Sequence, residues 1–340
     1  MVTQPTAPDN PRSQPVQLDT PSLLGGVFQH RWDLVGIGGS YIDLTTRVNE
    51  SDLAALGLAK GESLVVGPDR FANALSTLHG WSSSFGGSVA NTLKTVAELG
   101  CTTAMITAVG TDVEGRGWLD SLQRHGVAAF ARSSDRPTGR CAVLVTPDGE
   151  RSMLATAPPP LSHQDLAALL PAPGRGILVD GYALASTAAE EFLGEIFAIA
   201  ERSHSSVIVS LSSVQSVRSI RSALLSRLAA PLVMMVGTEA EFAALGQGSA
   251  EDGAELVAGS GVIAVLTRGD RGSSVRWGVD VANLPALKSS PALDTTGAGD
   301  AYLGGFLYGW LTGMDLKVAA GIGAEVAGQA ITRRSGSGER

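Results

Sequence analysis

The sequence predicts an α/β fold: a three-layer, doubly wound, mostly parallel sheet with helices on both faces, plus a small β-sheet lid. Three observations carry that expectation. Short runs of continuous apolar residues recur along the chain, as strands buried on both faces require. Segments with helical periodicity lie between them, which is how parallel strands are connected. Two stretches break the alternation and read as a separate small sheet.

Taken in order, the predicted strands of the main sheet and its lid are Asp33–Gly39, Thr102–Gly110, Cys141–Thr146, Gly176–Gly181, Ser206–Ser212, Pro231–Gly237 and Gly261–Gly269. The first clear helix, Ser88–Leu99, places Val89, Leu93, Val96 and Ala97 on one stripe and is stopped by Gly100. Glu114–His125 turns Trp118, Leu119 and Leu122 inward and ends at Gly126. Ala188–Arg202, Ser213–Leu228, Thr238–Leu245 and Ala250–Ala258 continue the alternation. Tyr41–Leu78 holds no clean βα unit, and Val127–Thr156 is β-rich, with the turn Pro147-Asp148-Gly149 between two strands. The expected organisation is a disordered tail over 1–30, a core from 31–40, 79–126 and 161–336, and a lid from 41–78 and 127–160. Pro158-Pro159-Pro160 marks the return to the core.

Composition narrows the function. The 340 residues carry 25 basic and 33 acidic side chains, a net charge of −8, and 44% are hydrophobic, enough for a sizeable core. That acid excess, without a Lys/Arg cluster, argues against nucleic acid as a partner. Cys101 and Cys141 are the only cysteines, too few for a disulfide framework, and no Cys/His cluster suggests zinc. No apolar run reaches the ~18 residues that span a bilayer, and the polar start of the chain lacks the pattern of a secretory signal. A cytoplasmic protein without a membrane partner is therefore expected.

The chemistry concentrates in Asp294-Thr295-Thr296-Gly297-Ala298-Gly299-Asp300, which runs into the apolar helix Ala301–Leu311. A Gly-rich turn entering a helix aims several backbone N–H groups at one point, at the positive end of the helix dipole. A carboxylate among those amides would repel a phosphate if the site served binding alone. Accepting a proton from an attacking hydroxyl is the task that suits Asp300 there. The alternative is that Asp300 only favours the helix N-terminus.

That string, followed by Ala301-Tyr302-Leu303-Gly304-Gly305-Phe306, resembles the C-terminal signature of the ribokinase family, the PfkB-type carbohydrate and nucleoside kinases. Phe85-Gly86-Gly87-Ser88-Val89-Ala90-Asn91 resembles the N-terminal signature, and the resemblance runs through about Asp33–Gly336. Gly39-Ser40-Tyr41-Ile42-Asp43, the long segment before Gly86, and Arg333-Arg334-Ser335-Gly336 look closer to adenosine-kinase-like members.

The resemblance implies an ATP- and Mg²⁺-dependent transfer of the γ-phosphate to a hydroxymethyl group of a sugar or nucleoside, with adenosine or another ribosyl substrate favoured. It implies Asp300 as the base and the amides of Gly297, Ala298 and Gly299 as the anion hole. Asp43, Gly86, Gly87 and Asn91 would hold the sugar, or else serve as turn and helix-surface residues. Thr267 and Gly269 would meet the nucleotide phosphates, with Arg271 a further candidate; a plain strand-end turn fits them as well. Asp294 and Thr296 would hold a monovalent cation, K⁺ in many members. Glu239 would join the Mg²⁺ network, although Val236 stands where members usually carry Asn and can form no hydrogen bond. Arg151 could reach substrate from the lid or be a solvated hairpin residue, and Tyr182 could stack on a base or fill the core. Relatives often form a homodimer through the lid. Two other readings are a non-catalytic sugar or nucleoside sensor, motivated by Val236, and an NAD-dependent oxidoreductase using the Gly36–Ser40 turn, which lacks the third glycine of a dinucleotide fingerprint.

Overall fold

In this computed structural model, residues 31–169, 174–287 and 297–332 are described. The expected tail, Asp294, Thr296 and the Arg333–Gly336 string lie outside the described residues. Two sheets organise the chain. The larger has nine strands in the order β14 (Asp280–Leu284), β13 (Ser273–Trp277), β12 (Ile263–Thr267), β11 (Leu232–Thr238), β10 (Ser206–Ser210), β9 (Gly174–Asp180), β1 (Trp32–Ile37), β5 (Thr103–Gly110) and β6 (Val127–Ser134). From β12 to β6 every pairing is parallel, and only the β12–β13–β14 edge is antiparallel.

Strands β1, β5 and β9 to β12 are buried along most of their length because both faces are covered. Val35, Ile177, Val179, Val207 and Val209 pack with Phe192, Ile196, Val217, Phe242 and Val257 on one side. Leu34, Met105, Leu178, Ile208 and Met234 pack with Leu93, Trp118, Phe306 and Leu307 on the other. The predicted three layers are thus present. The chain winds outward from β1 through β5 to β6, then returns to β9 and proceeds the opposite way. The crevice beyond the β1 and β9 strand ends is the switch point where open α/β sheets take ligands.

The smaller sheet has the order β3 (Ser63–Val65), β8 (Arg151–Ala155), β7 (Gly139–Val145), β2 (Tyr41–Arg47) and β4 (Ser82–Gly86). Its side chains alternate. Leu44, Ala142, Leu144 and Leu154 pack on Leu53, Phe71 and Ala74 from the helices Glu50–Ala55 and Pro68–Thr77. Asp43, Cys141, Val143, Arg151 and Met153 belong to the opposite face, as their register shows.

Two boundaries differ from expectation. Val127–Ser134 is not lid: it pairs in parallel with β5 from Thr103↔Val127 to Gly110↔Ser134, at the edge of the large sheet. An edge strand has one neighbour, so its burial is patchy and its sequence carries polar residues. Ser82–Gly86, expected in the core, pairs antiparallel with β2 in the small sheet. Among the described residues, no helix is long and apolar enough to cross a membrane.

Candidate active site

The site forms where two helix N-termini meet. Gly297 caps the helix Ala298–Leu311 in the left-handed region, with φ at 74°, a conformation glycine adopts without strain. The first helical hydrogen bond runs from Ala301 N–H to Gly297 O at 2.8 Å. The N–H groups of Ala298, Gly299 and Asp300 precede it and have no acceptor within the helix. Among the described residues, no atom outside the local helix backbone lies within 4 Å of where a Cβ would stand on Gly297 or Gly299, so the cradle is open on the side they form. Exposed amides with dipole support suit a phosphate.

Close packing fixes the carboxylate beside that cradle. A Cβ on Gly304 would lie 2.6 Å from Thr95 Cβ, so the helix Ala298–Leu311 is pressed against the helix Ser88–Glu98. Asp300 consequently reaches the first turn of its neighbour. Ser88 Oγ donates to Asp300 Oδ1 at 2.6 Å, Asn91 Nδ2 donates to Oδ2 at 3.1 Å, and Thr92 Oγ1 donates to the Asp300 carbonyl at 3.4 Å. Gly87, which caps Ser88–Glu98 with φ at 103°, also lets Gly39 O approach to 2.9 Å of where a Cβ would sit.

Asp43 lies against Gly86 so closely that any Cβ there would be 2.1–2.4 Å from its carboxylate atoms. Burial raises the Asp43 pKa to about 7, the Asp300 charge adds to the rise, and Lys94 opposes it. Burial also pushes Asp300 up, against the hydrogen bonds from Ser88 and Asn91 and the positive charge of Arg151. A raised pKa gives a carboxylate the basicity that proton abstraction near neutral pH needs. The structure therefore brings together Asp43, Gly86, Gly87, Asn91, Gly297, Ala298, Gly299 and Asp300. Asn91, expected on the sugar, directs its amide to Asp300. Arg151, half-buried on the lid face, acts on Asp300 across the gap between the sheets.

Ser88 and Lys94 had no expected role. Ser88 lay inside the N-terminal signature, and its spacing of three from Asn91 puts both on one helix face. Lys94 is buried, its Nζ donating to Phe85 O at 3.1 Å.

A second group sits at the ends of β11 and β12. Thr267 Oγ1 donates to Gly237 O at 3.3 Å, and Gly269 has a positive φ of 59° with open space beside it. Tyr302, two residues beyond Asp300, donates to Ser273 Oγ at 2.8 Å, and Ser273 is in register with Thr267. That bond ties the helix that carries Asp300 to the strand end expected to meet nucleotide. Glu239 opens the helix Glu239–Gly246, and its Oε1 accepts from Arg268 Nε at 3.1 Å while Oε2 accepts from Arg271. Both oxygens are engaged, and among the described residues no three acidic, His or Cys side chains converge on a metal position. Glu239 as it stands does not fit a magnesium ligand, whereas the amide cradle fits phosphate. Val236 is buried in the sheet, in register with Ser210 and Val265.

A Cβ on Gly36 would be 2.4 Å from Val89 Cγ1, so this glycine serves helix-on-sheet packing.

A family model described as pfkB family carbohydrate kinase matches residues 52–339. The chain belongs to that family. Among curated relatives, the chain is 27% identical over 275 residues to the uncharacterized sugar kinase YegV of Escherichia coli, covering 75% of this chain and 80% of that one. A solved structure of a probable sugar kinase from Rhizobium etli has a TM-score of 0.85 at 26% identity, covering 89% of this chain and 94% of that one. The adenosine kinase of Sinorhizobium meliloti gives a TM-score of 0.83 at 27% identity, with the same coverages. The protein is thus a carbohydrate or nucleoside kinase of the pfkB family, with the ribokinase-like architecture.

Proposed function

We propose that this pfkB-family kinase transfers the γ-phosphate of ATP to a hydroxymethyl group of a sugar, either free or as the ribosyl part of a nucleoside. One observation carries the reading: a carboxylate with a raised pKa, Asp300, belongs to a helix N-terminus whose first N–H groups precede the first helical hydrogen bond, from Ala301 to Gly297. Asp300 takes the proton of the attacking hydroxyl. The amides of Ala298, Gly299 and Asp300 receive the charge that develops on the transferring phosphoryl oxygens. Ser88 and Asn91 fix the carboxylate's orientation before substrate arrives, so little reorganisation remains for the reaction.

Asp43 accepts from a sugar diol, as an acceptor-only group suits paired hydroxyls. Arg151 approaches from the lid and supplies positive charge opposite the cradle, and lid closure would exclude water and limit idle hydrolysis of ATP. Thr267 and Gly269 would meet the rest of the nucleotide phosphates, and Asp294 and Thr296 would hold K⁺, both as the family resemblance implies. Mg²⁺ bound to the nucleotide would neutralise phosphate charge, and no step is assigned to a metal held by Glu239. The names sugar kinase and adenosine kinase among the relatives support both halves of the substrate class. ADP release measured against a panel of free sugars and nucleosides, with and without Mg²⁺ and K⁺, tests the proposal. Turnover with at least one acceptor is expected. Ligand-induced stabilisation without any turnover would contradict it and favour the sensor.

A further inference from the structure

We propose that Lys94 is a positioning residue for acceptor recognition: its ammonium group is the counter-charge that holds Asp43 ready for the hydroxyls of the sugar. The inference rests on the kinase reading above and on the role given there to Asp43.

One helix supplies partners to both carboxylates of the reaction space. The helix Ser88–Glu98 directs Ser88 and Asn91 to Asp300. Lys94 lies three positions beyond Asn91, on a neighbouring stripe of that helix. Long helical side chains lean back toward the helix start, and Lys94 Nζ reaches Phe85 O at 3.1 Å, on the lid strand β4. The next residue of that strand is Gly86, where the Asp43 carboxylate packs 2.1–2.4 Å from where a Cβ would stand. Ammonium and carboxylate thus meet consecutive residues of one strand, and Asp43 responds to the Lys94 charge.

Burial makes the choice of lysine informative. Lys94 is 8% exposed, and among the described residues no other basic side chain is buried to that degree. An ammonium group taken out of water is costly unless it is bonded and paired. Anchoring the lid strand does not require one: Trp118 Nε1, a neutral donor, holds the next carbonyl, Gly86 O, at 2.9 Å. A neutral donor cannot offset negative charge.

Asp43 needs that offset. Burial and the Asp300 charge both favour its protonated form, and Lys94 opposes them. Two other titratable groups face Asp43. Burial pushes both Cys141, in register with it on β7, and Tyr41, on its own strand, well up, so neither carries charge near neutral pH. Arg151 acts on Asp300, and Asp180 at the end of β9, raised by burial to about 7, faces Asp300 as well. Among the described residues, Lys94 is the cation that acts on Asp43.

Two variants separate charge from anchoring. Lys94→Gln keeps a donor for Phe85 O and removes the charge, whereas Lys94→Met removes both. ADP release is measured against acceptor concentration at pH 7 and pH 9, using the sugar or nucleoside that wild type turns over fastest, alongside melting curves. At pH 7 the KM of Lys94→Gln should stand about fivefold above wild type with a smaller change in kcat, as loss of a neighbouring cation from a carboxylate titrating near 7 implies. At pH 9, where Asp43 ionises without help, the two enzymes should converge. Lys94→Met should show the same convergence with a lower melting temperature. In an Asp43→Asn background, Lys94→Gln should leave the pH dependence of KM unchanged, which separates Asp43 from Asp180. A KM defect of equal size at both pH values marks a merely structural role and overturns the inference, as does a wild-type KM at pH 7 in a folded variant. Failure of both variants to fold overturns it too, because the core then needs the ammonium independently of Asp43. If no acceptor turns over, the kinase reading fails, and the melting shifts that ribose and adenosine induce at the two pH values decide Lys94: a variant that does not converge with wild type at pH 9 contradicts the role.

Discussion

At the scale of single residues, the site is a set of carboxylates held in their less comfortable form. Burial raises Asp43 to about 7, and Asp300 is pushed up by the same cause. Two consequences have definite signs. The proposed roles, binding substrate and taking its proton, need these groups ionised, so kcat/KM should fall as pH drops through about 7. In Asp43→Asn the Asp43 contribution to that fall should vanish. Stability moves the other way. A carboxyl group whose folded pKa exceeds its unfolded value favours folding while protonated, and loses that contribution as pH rises from about 4 to 7. Asp43→Asn should therefore melt higher than wild type at pH 8, by about 2 °C or more, and the difference should shrink at pH 5. An equal difference at both pH values would show that Asp43 is not the group under strain. The residue chemistry was only partly legible in the sequence. Asp300 and its glycines form one contiguous string, so their chemistry could be read together. Ser88 donates to Asp300 across 212 positions of chain, and no local pattern announces such a meeting.

Helix and strand placement sets how accurately those residues meet. The helix Ala298–Leu311 owes its position to Gly304, where a Cβ would lie 2.6 Å from Thr95 Cβ. Gly304→Ala should force the two helices apart and cost about 1–3 kcal/mol of stability. It should also lower kcat, because Asp300 would move relative to Ser88 and Asn91. Gly299→Ala offers the opposite pattern, since among the described residues nothing outside the local helix backbone lies within 4 Å of the new methyl group. Its melting temperature should stay near that of wild type while KM for ATP rises, because the methyl group occupies the cradle. Calorimetric melting with ATP kinetics on both variants distinguishes packing from binding. Elements buried on both faces were legible from apolar runs alone, as β9, β10 and β12 show. The misplaced or unread ones, β4, β6, β13 and β14, lie toward sheet edges or carry Ser, Arg and Asp on open faces, so their sequences lack that signature.

For the molecule as a whole, activity depends on two sheets sharing one reaction space. The helix Ala298–Leu311, packed on the large sheet, presents the cradle and Asp300, while the small sheet presents Asp43 and Arg151. Arg151 holds the Asp300 pKa down against burial. Arg151→Gln should thus lower kcat and move its acid limb to higher pH, since Asp300 would bind its proton more tightly. An unshifted limb would mean that the lid arginine does not reach the base during turnover. The most direct test of the account remains the carboxylate itself. Steady-state ADP release by Asp300→Asn, with acceptor affinity measured by calorimetry on the same preparation, should show kcat reduced about 10²–10⁴-fold with affinity nearly unchanged. Wild-type turnover in that variant would contradict the assignment of Asp300 as the base.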